Sequence, residues 1–544
     1  MIPRLAALCV WMTLAAPAGL AQEQHPYRPG VDVLDYAISI TLPDTGATIQ
    51  GDASLTVRRT ARLDTLVLDL RELRVTRITV DDRSRRFRRT DSTIHIPLPP
   101  GDTGAFRVRV AYGGRVTDGL IVRRDSLGRW TYFGDNWPNR ARYWIPSVDH
   151  PSDKATVTWS VRGPRGRTVV ANGSLLETRM TGTGRNSRVV TRWRQSQPIS
   201  TYLMVIAAAP LVRHDLGETA CGLTDHRRCV RQSVYVAPES RPILPGNFAQ
   251  ADEIVSFFGA TIGSYPYEKL AHLQSTTRFG GMENATAIFY SNAAFRRGGR
   301  GPGDGLIAHE TAHQWFGNAV TEREWAHLWL SEGFATYFAA LFTRHARGDT
   351  AFRAEMTRIR RIILDDTIAV PRRPVIDTME TDLFALLNRN SYQKGGWVLH
   401  MLRTQLGDSA FFRGVRDYYA AHKHGTALTS DLRARLEAAS GRDLRQFFDQ
   451  WLRRPGYPEL DVVWAADSAA RMIEIGITQA ERFGAFEFPL RLALTDSAGM
   501  TRRVEFAVPA QTESRLVLPI SGPVARVDVD PDVELLARIT VRRQ

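Results

Sequence analysis

Three cysteines in 544 residues are too few for a disulfide framework, and one of them, Cys9, lies in the apolar stretch at the N-terminus. Lysine is also scarce. Lys154, Lys269, Lys394 and Lys423 are the only four among 71 basic residues, so arginine carries the net charge of +14. The arginines are scattered in short pairs such as Arg85-Arg86, Arg88-Arg89 and Arg372-Arg373, with no long basic run and no nucleic-acid module, which argues against a nucleic-acid partner. Beyond the first residues no apolar run reaches the length of a membrane span. The nearest, residues 199–212, includes Ser200, Thr201 and Tyr202 and reads as a buried strand. Internal repeats and low-complexity segments are absent as well.

The chain is long and 43% hydrophobic, too large for one ordinary core, and calls for several globular domains. Residues 1–21 carry one early charge at Arg4, an apolar stretch, and Ala18-Gly19-Leu20-Ala21 before a polar Gln22. This is the pattern of a secretory signal peptide cleaved after Ala21, which predicts a periplasmic or secreted protein. No small residue precedes Cys9, so a lipid anchor is not expected. In an oxidising compartment the two remaining cysteines, Cys221 and Cys229, suit a disulfide closing a short polar loop.

Three regions follow. Residues 22–212 alternate apolar and polar side chains, as in Ala37-Ile38-Ser39-Ile40-Thr41-Leu42, and predict an all-β domain. Residues 213–455 carry helical periodicity over 249–262, 306–316, 331–347, 395–405 and 431–451. Alternation returns in residues 456–544, as in Val504-Glu505-Phe506-Ala507-Val508, and predicts a small β-sandwich.

The run His309-Glu310-Thr311-Ala312-His313 carries the chemistry. On a helix, imidazoles four residues apart project from one face and can grip one ion. Zinc accepts neutral imidazole nitrogen and carboxylate oxygen, and a hydrolytic site needs three protein ligands with a fourth position left for water. Glu332, in Trp329-Leu330-Ser331-Glu332-Gly333-Phe334-Ala335, is the candidate third ligand, because the intervening residues allow one helix to end and a second to return a carboxylate. One zinc per chain would bring the pKa of its water to about 7 and polarise a carbonyl. Glu310, beside that water and off the metal, is the candidate general base.

Two further motifs flank this one: Phe279-Gly280-Gly281-Met282-Glu283-Asn284-Ala285-Thr286 upstream and Ser391-Tyr392-Gln393-Lys394-Gly395-Gly396 downstream. Together with the run from Ala141 to Ser152 and Gly456-Tyr457-Pro458, they make the chain resemble the gluzincin aminopeptidases of the aminopeptidase N type. The resemblance implies a multidomain α+β architecture: an N-terminal β saddle, a thermolysin-like catalytic domain and a small C-terminal β-sandwich, without the large helical domain that often follows. It implies peptide substrates, with Gly280, Gly281, Met282, Glu283 and Asn284 on the substrate-binding strand and Glu283 facing the free α-amino group. Tyr392 corresponds to the tyrosine that donates a hydrogen bond to the developing oxyanion. One position departs from the family: Trp137 stands where a Glu or Gln usually helps to bind the amine. Either Asp135 replaces that acid or Trp137 reshapes the first subsite. An endopeptidase tolerant of blocked ends and a non-catalytic scaffold are the competing readings; oligomeric state is not legible.

Overall fold

The computed structural model describes residues 27–544 apart from 102, 165, 185–186, 221–227, 297–301, 468 and 470. The expected signal peptide and the Cys221–Cys229 pairing lie outside the described residues. No helix among them is long and apolar enough to cross a membrane.

The first β region is built on a large sheet. Its strands are β1 (Val31–Thr41), β2 (Thr48–Arg59), β3 (Arg74–Val80), β4 (Arg83–Ser84), β5 (Gly104–Arg115), β6 (Lys154–Pro164), β7 (Ser174–Thr181) and β8 (Arg188–Ser200). They lie in the order β7-β8-β6-β1-β2-β5-β3-β4; β1 and β6 pair in parallel and the other neighbours are antiparallel. The alternation in β1 decides which face is buried: Tyr36, Ile38 and Ile40 are in the core while Ala37 and Ser39 are exposed. Behind this sheet the indole of Trp144 stacks on Trp159 with ring centroids 5.6 Å apart.

Residues 199–212 are not one strand. Thr201–Leu203 forms a 3-10 turn between the end of β8 and a short strand, Ile206–Ala209. Ser200 to Ala209 are all buried, so a run that is apolar on every side carries no period from which the turn could be read.

The next region holds a mixed sheet and six helices of eight residues or more. The strands are β9 (Val212–Ala220), β10 (Arg228–Val236), β11 (Lys269–Ser275), β12 (Gly281–Met282) and β13 (Ala287–Ser291), in the order β9-β10-β11-β13-β12. This leaves β12 as an edge strand, antiparallel to β13. The helices are α1 (Ala251–Thr261), α2 (Asp304–Ala312), α3 (Trp329–Leu364), α4 (Gly395–His422), α5 (Thr429–Ser440) and α6 (Arg445–Leu452). Gly348 at φ 82° breaks α3 and Gly407 at φ 75° breaks α4, so each is two helical segments joined at a glycine. The periodicity over 431–451 is likewise two helices, because Gly441 caps α5 in the left-handed conformation.

Beyond Tyr457 the chain forms two small sheets. One has four strands, in the order Glu513–Pro519, Met472–Gln479, Glu459–Asp467 and Arg538–Arg543, and the other has three, Thr501–Val508, Phe488–Asp496 and Val524–Val529.

Contacts from the first β region hold the loops of the second. The half-buried Lys154 ammonium donates to the carbonyls of Asn318, Ala319 and Gly425 at 2.9, 2.9 and 3.0 Å. Tyr202 Oη donates to the Gly317 carbonyl at 2.9 Å, and Asn172 Nδ2 to the Ala285 carbonyl at 2.7 Å. The family-like run from Ala141 to Ser152 also acts in this framework: Arg142 Nε donates to Asp149 Oδ2 at 3.0 Å, and Thr201 Oγ1 to Asp149 Oδ1 at 2.8 Å.

Candidate active site

Helix α2 begins after Gly303, whose extended backbone stands at the N-cap position, and Asp304 places a carboxylate in its first turn. It presents His309 and leads directly into His313; α3 opposite begins at Trp329 and presents Glu332 from its first turn. The three ligand atoms converge. His309 Nε2 lies 3.1 Å from His313 Nε2, and Glu332 Oε2 lies 3.3 and 3.4 Å from the two nitrogens. Atoms about 2.0–2.1 Å from a tetrahedral ion stand about 3.3 Å from one another, so the triangle has the dimensions of three zinc ligands. His313 Nδ1 faces the Phe316 carbonyl at 3.2 Å and Ser331 Oγ at 3.0 Å. A carbonyl only accepts, so Nδ1 carries the proton and Nε2 keeps its lone pair for the ion.

Without an ion, the charges around this triangle shift one another. Burial raises the Glu283 carboxyl to about 7, and burial pushes Glu310 well above the ordinary range. For His313 burial acts downward, but Glu332, Glu283 and Glu310 outweigh it and lift the imidazole to about 10. Burial would raise Glu332, yet His313 and His309 hold it at about 2. Three buried carboxylates thus crowd two imidazoles, a set that a divalent cation neutralises without protons. The donor set and its spacing fit zinc.

Glu310 is aimed by its neighbours. A Cβ added to Gly281 of β12 would stand 2.1 Å from Glu310 Oε1 and 2.3 Å from its Cδ. Glycine here therefore makes room for the carboxylate, whereas nothing lies within 4 Å of the equivalent point on Gly280. One ligand atom each of Glu283, Glu310 and His313 lie within 4.8 Å of one another. The backbone of Glu283 is clamped at its carbonyl by Gln314 Nε2 at 3.0 Å and Asn318 Nδ2 at 2.7 Å. Sequence reasoning missed Gln314, Asn318 and Ser331; Gln314 directly follows His313 and Ser331 directly precedes Glu332, and that adjacency is the only signal they offered.

Tyr392 sits in a single π-helical turn, Asn390–Lys394, with its ring parallel to that of His309 at a centroid distance of 6.0 Å. The turn comes close to Glu332 because Gly333 meets Gly395, where a Cβ on Gly333 would stand 2.8 Å from the Gly395 carbonyl carbon. Burial, reinforced by Glu332 and Glu283, keeps the Tyr392 phenol protonated.

The three ligands, Glu310, Glu283, Gly280, Gly281 and Tyr392 line a cavity of about 540 Å³ together with Trp137, Phe279, Met282, Leu306, Leu387 and Gln393. Two expected substrate-binding residues do not. Asp135 is fully buried and its carboxylate is already engaged: Oδ1 accepts from Thr277 Oγ1 at 2.9 Å, and Oδ2 from Arg140 Nη2 at 3.0 Å and Arg278 Nε at 3.2 Å. It therefore does not replace the missing acid. Asn284 is also fully buried and outside the cavity wall, because it follows β12 on the side turned into the domain. Trp137 forms the wall itself, edge to face with Phe279, Trp325 and Phe384 at centroid distances of 6.0, 5.5 and 5.5 Å.

The sequence matches the Peptidase family M1 domain over residues 248–451 and the Peptidase M1 N-terminal domain over residues 33–203. The chain belongs to peptidase family M1. Among curated relatives, glutamyl aminopeptidase of Bos taurus is 30% identical over 348 residues, covering 60% of this chain and 34% of that one. Aminopeptidase N of Lactococcus lactis subsp. lactis is 28% identical over 423 residues, covering 72% and 47%. The chain thus spans half or less of the length of these M1 relatives. Among solved structures, an M1 zinc metallopeptidase from Deinococcus radiodurans superposes with a TM-score of 0.67 at 26% identity, covering 78% of this chain and 94% of that one. A mutant of that enzyme is bound to a Tyr-Ser-Ala substrate, and a two-domain M1 zinc metallopeptidase mutant is bound to L-tryptophan. Legionella pneumophila aminopeptidase A in complex with aspartic acid shares the fold at a TM-score of 0.82 and 19% identity, over 94% of this chain and 60% of that one.

Proposed function

We propose that this chain is a zinc aminopeptidase that removes large apolar residues, aromatic ones above all, from the N-terminus of peptides. The observation that carries this reading is the position of Glu283, a buried carboxylate in the same cavity as the His309, His313 and Glu332 triangle and within 4.8 Å of Glu310. A carboxylate there pairs with an α-ammonium through a charge-assisted hydrogen bond and so places the first peptide bond, and no later one, beside Glu310. Zinc held by His309, His313 and Glu332 would supply a Lewis acid that polarises the scissile carbonyl and acidifies water. Glu310 takes the proton of the attacking water and returns it to the departing amine. The Tyr392 phenol donates to the carbonyl oxygen as it gains charge.

The glutamyl aminopeptidase among the curated relatives suggests an acidic first residue, while the Deinococcus complex suggests an aromatic one. The walls favour the second. Trp137, Phe279, Met282 and Leu387 offer apolar surface, the guanidinium of Arg358 in the wall is paired with Glu355, and the nearby guanidiniums of Arg140 and Arg278 are both engaged with Asp118 and Asp135. A buried acidic side chain would find no unspent cation there among the described residues. The test is a peptide series differing only in its first residue. Tryptophan and tyrosine should exceed glutamate and aspartate in kcat/KM by at least about tenfold; a preference for the acidic pair would refute the assignment. Residence in an exported compartment is proposed from residues 1–21 of the sequence.

A further inference from the structure

The two edges of the eight-stranded sheet are treated differently. At one edge β4 is two residues long and carries Arg83, the usual means of blunting an edge against pairing. At the other, β7 is eight residues long, its outer side pairs with nothing among the described residues, and its six central residues are exposed. Three of them are large and apolar: Leu175, Leu176 and Met180, at 50%, 55% and 55% exposure. Between them stand Glu177 and Arg179, themselves paired at 3.2 Å on one face of the strand.

We propose that β7 pairs antiparallel with β7 of a second copy of this chain, joining the two sheets across a twofold axis at Thr178. Self-complementarity of the strand singles out this partner and this register. In an antiparallel pair, residues opposite each other must both point their backbone groups toward the partner or both away, so permissible registers differ by two residues. Centring on Glu177 sets glutamate against glutamate, and centring on Arg179 sets arginine against arginine. Only the register between them sets Glu177 opposite the partner's Arg179, twice, with Thr178 on the axis; opposite charges facing each other across strands stabilise the ladder. The bulge in β7 falls at Leu176, since Leu175 and Glu177 pair with consecutive residues of β8, so the regular part of the proposed ladder is Glu177 to Arg179.

The experiment measures the mass of the mature chain by sedimentation equilibrium up to ~100 µM, a range suited to a small interface. The wild type should move from one chain's mass toward two. Glu177→Arg and Arg179→Glu should each weaken association at least about tenfold, and the double reversal, which restores opposite charges in the same register, should recover it. Peptidase activity serves as the control for folding, since β7 contributes nothing to the cavity. A wild type that stays monomeric, a dimer indifferent to the single reversals, or a double reversal that fails to recover would each overturn the proposal, whatever the peptidase activity.

Discussion

Glu310→Gln will lower turnover by roughly a thousandfold while the protein keeps its metal and its fold, because general acid–base catalysis typically contributes about 10²–10⁴. The amide has the same shape, so α2 is undisturbed, and the atoms that converge at 3.1 to 3.4 Å belong to His309, His313 and Glu332 rather than to Glu310. Metal content by elemental analysis, unfolding temperature and steady-state kinetics give three independent readings. Loss of zinc together with activity would mean that Glu310 helps to hold the ion, and undiminished turnover would remove it from the mechanism. KM should change little, because Glu283 keeps the substrate's amine.

Gly281→Ala should reach the same carboxylate from outside the motif. The new methyl would overlap Glu310 Oε1 at 2.1 Å, and the atoms it meets are the free end of a flexible side chain. The carboxylate therefore moves and the backbone does not. Misplacement by about 1 Å can cost about a hundredfold in rate, so kcat should fall about that much with little change in unfolding temperature. Combining the two substitutions decides the cause. If Gly281 acts only by making room for Glu310, the double variant is no slower than Glu310→Gln alone; additive losses would show that Gly281 serves the substrate directly.

The parts of this site legible in sequence are those whose chemistry is packed into a short run on one element. His309, Glu310 and His313 occupy one helix and its C-cap, so a spacing of four residues states their geometry. Glu332 needed a second helix to return, yet both helices announced themselves by period. Asp135 shows where such reading stops. Its partners are Arg140, five residues on, and Thr277 and Arg278, brought to it only by packing of the first β region against the mixed sheet. A carboxylate close in sequence to the expected position is thereby consumed before any substrate arrives. Gly281 was legible only as part of the substrate-binding strand; the group that packs against it is Glu310. Alternation placed the β regions well because their sheets bury one face, as β1 shows; it failed at Thr201–Leu203, where every side is buried.

The most direct test of the account uses one tripeptide beginning with tryptophan, offered N-terminally free and N-acetylated to the zinc-loaded protein, with products identified by mass and a chelator control. The account predicts release of tryptophan from the free peptide alone, abolished by the chelator. Cleavage of both forms would contradict it, showing that Glu283 does not select for a free amine and that the cavity serves an endopeptidase; cleavage of neither would leave the non-catalytic scaffold as the better reading.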